Sequence, residues 1–189
     1  MDIRKPISTN GGDWFAKFGE LWKTQVAGLK EKFGPQILEV RMPMDYPTDV
    51  PIIYVKNDAV VDLLQFLKSE VGYEYAFLSD LTATDETPRD PRFEVVYNLF
   101  SHTKKARIRV KIRVSEGEEA PTAISVWPGA NWAEREVFDM FGIRFRGHPD
   151  LRRILMDNRW QGHPLRKDYP LRKYQIFTEP MEADPSLLK

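Results

Sequence analysis

Glu134, Glu136, His148 and His163 are the side chains best suited to chemistry in this 189-residue chain. All lie in one stretch, WPGANWAEREVFDMFGIRFRGHPDLRRILMDNRWQGHPLRKDYPL, from Trp127 to Leu171. Imidazole and carboxylate are ordinary zinc ligands, and paired carboxylates can share acid–base work. The spacing argues against both. No HExxH-like pair sets two ligands on one helical face. Glu134 and Glu136, two positions apart, aim about 200° apart on a helix and cannot reach one substrate atom. Each histidine precedes a proline, in Gly147-His148-Pro149 and Gly162-His163-Pro164. Proline stiffens the loop and biases the residue before it towards extended backbone. The preferred reading is two rigid corners whose imidazoles bond neighbouring backbone, with metal ligation and proton handling as the alternatives. His102, at an expected hairpin turn, reads as solvated. Neither a nucleophile elbow, a Ser-His-Asp set nor a phosphate loop is present.

The helix that must carry the two glutamates runs from Asn131 to Phe141. Asn131 is the expected N-cap, with Glu134 at capping-box spacing, and Gly142 the expected stop. A wheel places Ala133, Val137, Phe138, Met140 and Phe141 on one broad face. Glu134 falls inside it, and Glu136 falls between Trp132 and Met140. Arg135 and Asp139, four apart, are expected to pair on the remaining side. A buried carboxylate without a partner costs several kcal/mol, so the glutamates are expected to draw on cations downstream. From Phe141 to Lys173 there are nine Lys or Arg against three Asp. The guanidinium fork suits such partly desolvated carboxylates. The stretch also repeats a unit, Arg146-Gly-His-Pro-Asp-Leu-Arg-Arg and then Gln161-Gly-His-Pro-Leu-Arg-Lys-Asp. The picture is a carboxylate-bearing helix beside an arginine-rich irregular ribbon, both made to be covered.

AEREVFDMFGIRFRGHPDLRRIL followed by GHPLRKDYPL resembles the signature of the 30-kDa subunit, or C subunit, of the proton-pumping NADH:quinone oxidoreductase, respiratory complex I. The likeness runs roughly from Phe93 to Leu171. Gln161 stands where that family commonly has an acid, and Asp157 where it has proline. The resemblance implies a two-layer α/β sandwich and a non-catalytic, cofactor-free member of the peripheral arm. Such a protein would brace the D subunit of the complex on the cytoplasmic side of the bacterial cell membrane. FMN and iron–sulfur clusters would sit in partner subunits and pass electrons from NADH to quinone. Glu134, Arg135, Glu136, Asp139, His148, Arg152, Arg153, His163, Arg166, Lys167, Asp168 and Tyr169 are then expected to shape the dock, partly through internal pairs. Trp160 and Tyr169 are candidate interface anchors, or else pack on their own domain. The alternatives are the equivalent subunit of a membrane-bound hydrogenase or other-donor dehydrogenase, a stand-alone metal-dependent hydrolase, and a soluble adaptor without redox partners.

Composition agrees with a protein that leaves redox chemistry to others. Zero cysteines exclude disulfides and thiolate-held clusters within this chain. Its 28 basic and 28 acidic residues balance, so it has no overall electrostatic address for nucleic acid. No apolar run is long enough to span a bilayer, and no apolar signal core opens the sequence.

The elements expected to position the stretch follow from periodicity. Residues 1–12 read as loose. Asp13 caps a helix to about Phe33 whose stripe of Phe15, Phe18, Trp22, Val26, Leu29 and Phe33 covers a sheet or docks on a partner, the sheet being preferred. Ile37–Met42 and Pro51–Val55 read as antiparallel strands. Asn57 caps a helix to about Glu70. Tyr75–Ala83, Phe93–Phe100 and Ala106–Val114 read as strands, the last with Ile108, Val110, Ile112 and Val114 on one side and Arg107, Arg109, Lys111 and Arg113 on the other. Ser115–Pro121 reads as an acidic loop, and Thr122–Trp127 as a short helical turn. The expected fold is α+β, a mixed, mostly antiparallel sheet with helices on one face. A sandwich domain spans 13–126, the signature helix and basic ribbon 127–171, and an extended tail 172–189.

Overall fold

The computed structural model describes residues 14–43, 45, 46, 48–172 and 175–177, leaving aside the side chains of 14–16. The expected loose segment 1–12, the Asp13 cap, the Phe15 side chain and most of the tail lie outside the described residues.

The chain runs α1 (Trp14–Phe33), β1 (Ile37–Arg41), β2 (Ile52–Val55), α2 (Val60–Ser69), β3 (Phe77–Asp85), β4 (Phe93–Ser101), β5 (Ala106–Val114), β6 (Glu119–Pro121), α3 (Ala130–Phe141) and β7 (Arg144–Arg146). Five strands form one sheet in the order β1-β2-β5-β4-β3. The β2–β5 pair is parallel and the other neighbours antiparallel, so the sheet is mixed and mostly antiparallel, as expected from the order of helices and strands.

Period-two burial is plain along β5, whereas all of β2 and the first half of β4 are buried on both faces. Val95, Tyr97 and Leu99 of β4 and Ile108, Val110 and Ile112 of β5 are buried in one core with Leu29 of α1, Leu63, Leu64 and Leu67 of α2, and Val137 and Phe141 of α3. The aromatic stripe of α1 therefore serves this chain's own core: Phe18, Trp22 and Phe33 belong to it. The side chain of Gln25 in α1 accepts a hydrogen bond from Tyr75 and donates to the Gly72 carbonyl, fixing the helix to the α2–β3 connection. The opposite face is charged around the buried ring of Tyr54, over which Arg41 and Arg113 lie. Its Lys111 and Arg113 reach Glu94, while Arg113 and Arg41 share Glu39. Two of the four cations in the basic row of β5, Lys111 and Arg113, are thus engaged by acids of other strands.

Three local expectations need correction. Asn57 does not cap α2; it sits in a 3₁₀ turn, and its side-chain amide donates to Glu118 and to the Glu119 carbonyl. Asn131 does not cap α3, which begins one residue earlier behind Gly129 without a side-chain cap. The acidic loop and the start of the basic ribbon are not wholly irregular: β6 and β7 pair in parallel as a second, two-stranded sheet. Three-residue strands are too short to show a period, so only the approach of distant segments reveals them. The C-terminal stop of α3 is as expected, with Gly142 at φ +77°, the left-handed conformation that glycine adopts without strain.

Candidate functional site

Helix α3 carries the acids by burying a stripe of Val137, Met140 and Phe141 against the sheet. The same turn geometry drags Glu134 inward, to 0% exposure. Its partners are not the arginines expected from the sequence. Oε2 meets the Thr122 hydroxyl at 2.6 Å, and Oε1 accepts the Ala123 N–H at 2.6 Å. Burial without a cation pushes its carboxyl up to about 7, despite the opposing pull of those two bonds. The hydroxyl of Tyr97, also buried and without a hydrogen-bond partner among the described residues, feels the Glu134 charge from the sheet side. Glu136 points the other way and is exposed. The divergence inferred from their spacing therefore holds, and the two carboxylates share no site.

Asp139, equally buried at 0%, is the hub of the ribbon. It does not pair with Arg135. Its Oδ1 takes Arg153 Nη1 at 2.7 Å, and its Oδ2 accepts the N–H groups of Ile154, Leu155 and Met156 at 3.1, 2.8 and 2.9 Å. Burial alone would raise this carboxyl, but the three amides and the guanidinium outweigh it and hold it below its ordinary value. Arg135 instead donates to the carbonyls of Arg152 and Arg153. Both residues thus tie the ribbon's backbone to the helix, which explains charge on the buried side of α3.

The two Gly-His-Pro units form corners that bond backbone. His148 Nδ1 accepts the Asp150 N–H at 3.0 Å, leaving Nε2 to donate to the Asn131 carbonyl at 3.3 Å. His163 Nδ1 donates to the Asp139 carbonyl at 2.9 Å. Burial, with Arg166 and Arg153 close by, lowers the His163 pKa. Its ring lies so near the backbone that a Cβ on Gly142 would meet it at 2.6 Å. The positions that depart from the resembled family have local answers. Asp157 accepts both the N–H and the guanidinium of Arg159, building a turn without proline. Gln161 exchanges two hydrogen bonds with Gln175. Trp160 stacks on Tyr169, whose hydroxyl accepts from Gln175, so both aromatic rings contact their own chain.

A second staple was not legible in the sequence. Asp85, at the end of β3, takes Arg92 in a two-point contact at 2.7 and 3.1 Å and also accepts the Lys167 N–H at 2.9 Å. Arg92 reaches on to Asp168 at 2.8 Å and Glu116 at 3.0 Å. Glu116 in turn binds Arg166, which donates to the Phe141 carbonyl. Arg92 holds Asp85 far below the ordinary carboxylate range. Nothing near Asp85, Arg92 or Glu116 in sequence marks them as anchors of the ribbon, because their partners in the ribbon lie about 50 to 80 residues away.

The expected site residues therefore fall into groups. Asp139, Arg135, Arg153 and His163 form one knot, Arg166, Lys167 and Asp168 join the second staple, and Arg152 pairs with Asp150. Among the described residues no group of three or more acids and histidines is placed to hold a metal ion, and no helix is long and apolar enough to cross a membrane. The arrangement anchors a ribbon.

The model of the family described as "Respiratory-chain NADH dehydrogenase, 30 Kd subunit" matches residues 53–175. A protein from Geotalea uraniireducens, named as the C subunit of NADH-quinone oxidoreductase, is 50% identical over 147 residues, covering 77% of this chain and 86% of its own length. Its namesake from Geobacter sulfurreducens is 47% identical over 148 residues, 77% of this chain and 88% of that one. A mitochondrial 30.4 kDa NADH-ubiquinone oxidoreductase subunit from Neurospora crassa is 46% identical over 140 residues, 69% of this chain and 50% of its own length.

Proposed function

This chain belongs to the family of the 30-kDa subunit of respiratory-chain NADH dehydrogenase, and from that premise we propose that it is a non-catalytic bracing subunit of the peripheral arm of NADH:quinone oxidoreductase. It contacts the D subunit of the complex on the cytoplasmic side of the membrane. Flavin and iron–sulfur clusters belong to its partners, and electrons bypass this chain.

The observation that carries this reading is the way the ribbon is finished. Most of its charges close on the chain's own helix, strands and backbone; Leu151 and Met156 pack against the core, while several other large apolar side chains stay out. Leu155, Leu165 and Leu171 of the ribbon are 61%, 54% and 97% exposed, and Ile176 just beyond it is 86% exposed. Large apolar groups exposed along one irregular segment gain free energy when a partner covers them, at roughly 25 cal/mol per Å² removed from water. The internal ion pairs supply a stiff frame, which lowers the entropy lost on docking. This revises the physical picture drawn from sequence: the arginines hold the ribbon's shape, and the leucines meet the neighbour.

Purification of the native complex from cells carrying Leu155→Glu and Leu171→Glu tests this. Loss of the chain from the flavin- and iron-containing assembly, with the isolated variant folded, is the expected result. Full retention of the doubly substituted chain, together with unchanged NADH:quinone activity, would refute the role of the ribbon.

A further inference from the structure

The groove between the open edge of β3 and the first half of α3 is not used by the ribbon. It has a volume of about 350 Å³ and is lined by Phe77, Leu78, Trp127, Pro128 and Ala133 among others. We propose that it receives an extended segment of another subunit, with apolar side chains flanked by lysine or arginine, which adds to β3 as a sixth strand. The proposal rests on the reading above, that this chain works inside a multisubunit assembly.

The backbone makes the case for a strand. β3 ends the sheet order, so one side of it has no strand partner among the described residues. An uncovered edge is a template for pairing with another chain. Its first residues, Phe77, Ser79 and Asp80, are exposed, whereas Leu81 and Ala83 further along are buried. The groove wall is held in place from below, because the Trp127 indole donates to the Ala76 carbonyl at 2.9 Å. Phe77 is 50% exposed, and Trp132, beside Ala133 on the helix, is 66% exposed.

Charge decides what kind of strand fits. Asp80 lies on the β3 side of the groove and carries a long contact from the Asn98 amide at 3.4 Å. Glu136 lies on the helix side, on the face bounded by Trp132 and Ala133, one turn beyond the groove lining. Among the described residues neither acid has an ion pair. The other sheet edge is a useful contrast. There Glu39 on β1 is already neutralised by Arg41 at 2.6 Å and Arg113 at 2.9 Å. Only the β3 edge combines a free strand, an apolar floor and two uncompensated acids. An incoming strand that alternates apolar and basic residues would place its apolar side chains on the floor and its cations at the rims.

The test is carbodiimide coupling of the native complex and of the isolated chain, read by mass spectrometry, with the Asp80→Lys/Glu136→Lys chain alongside. In the complex, Asp80 and Glu136 should couple to lysines of one extended segment of another subunit. The charge-reversed chain should be retained about tenfold less, with its thermal midpoint in isolation unchanged. Coupling to a second copy of this chain overturns the choice of partner. Retention of the reversed chain, with both carboxylates as reactive in the complex as alone, overturns the groove while leaving the subunit reading intact. Failure of the unaltered chain to purify with any flavin- or iron-containing assembly overturns that reading and this inference together.

Discussion

Replacing Glu134 with glutamine isolates the energetic consequence of burying an acid without a cation. The carboxyl titrates near 4.5 when free and at about 7 in the fold. Because the folded value is the higher one, folding favours the protonated form. The stabilisation from protonated Glu134 is complete below about 4.5 and is lost as the pH rises through 7. At about 1.4 kcal/mol for each pH unit, the interval from 4.5 to about 7 amounts to at most about 3.5 kcal/mol. Glutamine reproduces the protonated state: its carbonyl can accept the Ala123 N–H and its amide can donate to the Thr122 hydroxyl, in the places of Oε1 and Oε2. The assay is thermal unfolding of the purified unaltered chain and the Glu134→Gln chain at matched pH values from 4.5 to 8.5. The two should melt together at the acid end. At pH 8 the variant should melt higher, by about 6–12 °C for a domain of this size. Taking the difference between the chains removes the contributions of the other titrating groups. A difference independent of pH, or a glutamine chain less stable at pH 8, would refute the reasoning. Glu134→Ala is the companion control and should destabilise at every pH, since it leaves the Ala123 N–H buried and unpaired.

Three further outcomes follow from the anchoring contacts. Arg153→Ala strips the only cation within hydrogen-bond reach of buried Asp139 among the described residues and should lower stability in urea by about 3 kcal/mol; a loss under 1 kcal/mol would mean that the three amides suffice. Asp85, held low by Arg92, stabilises the fold above its unfolded value of about 3.8, and this is lost as the pH falls below it. Asp85→Asn should therefore flatten the acid limb of the unfolding profile, and an unaltered limb would dismiss that staple. Gly142→Ala places a methyl 2.6 Å from the His163 ring at φ +77° and should destabilise by about 2 kcal/mol in chemical denaturation. A neutral result would show that the corner yields.

Much of the architecture follows from local pattern. The alternation Ala106–Val114 determined a strand with one apolar and one basic face, and β5 occupies those residues. The stripe of α1 and the glycine stop of α3 are equally local, since each depends on side chains within a few turns. The inward setting of Glu134 was visible too, from its place among apolar neighbours on the wheel. Its partner was not. Opposite charge suggested arginine, and the fold supplied a hydroxyl and an amide from the segment before α3. The same holds for Asp139, where residue types fitted a pair with Arg135 at helical spacing, but three backbone N–H groups of the ribbon claimed it. Asp85, Arg92 and Glu116 left no trace at all. Periodicity records which way a side chain faces, because that depends on its own backbone. Which donor meets it depends on loops brought together by the whole fold, and only the tertiary structure decides that.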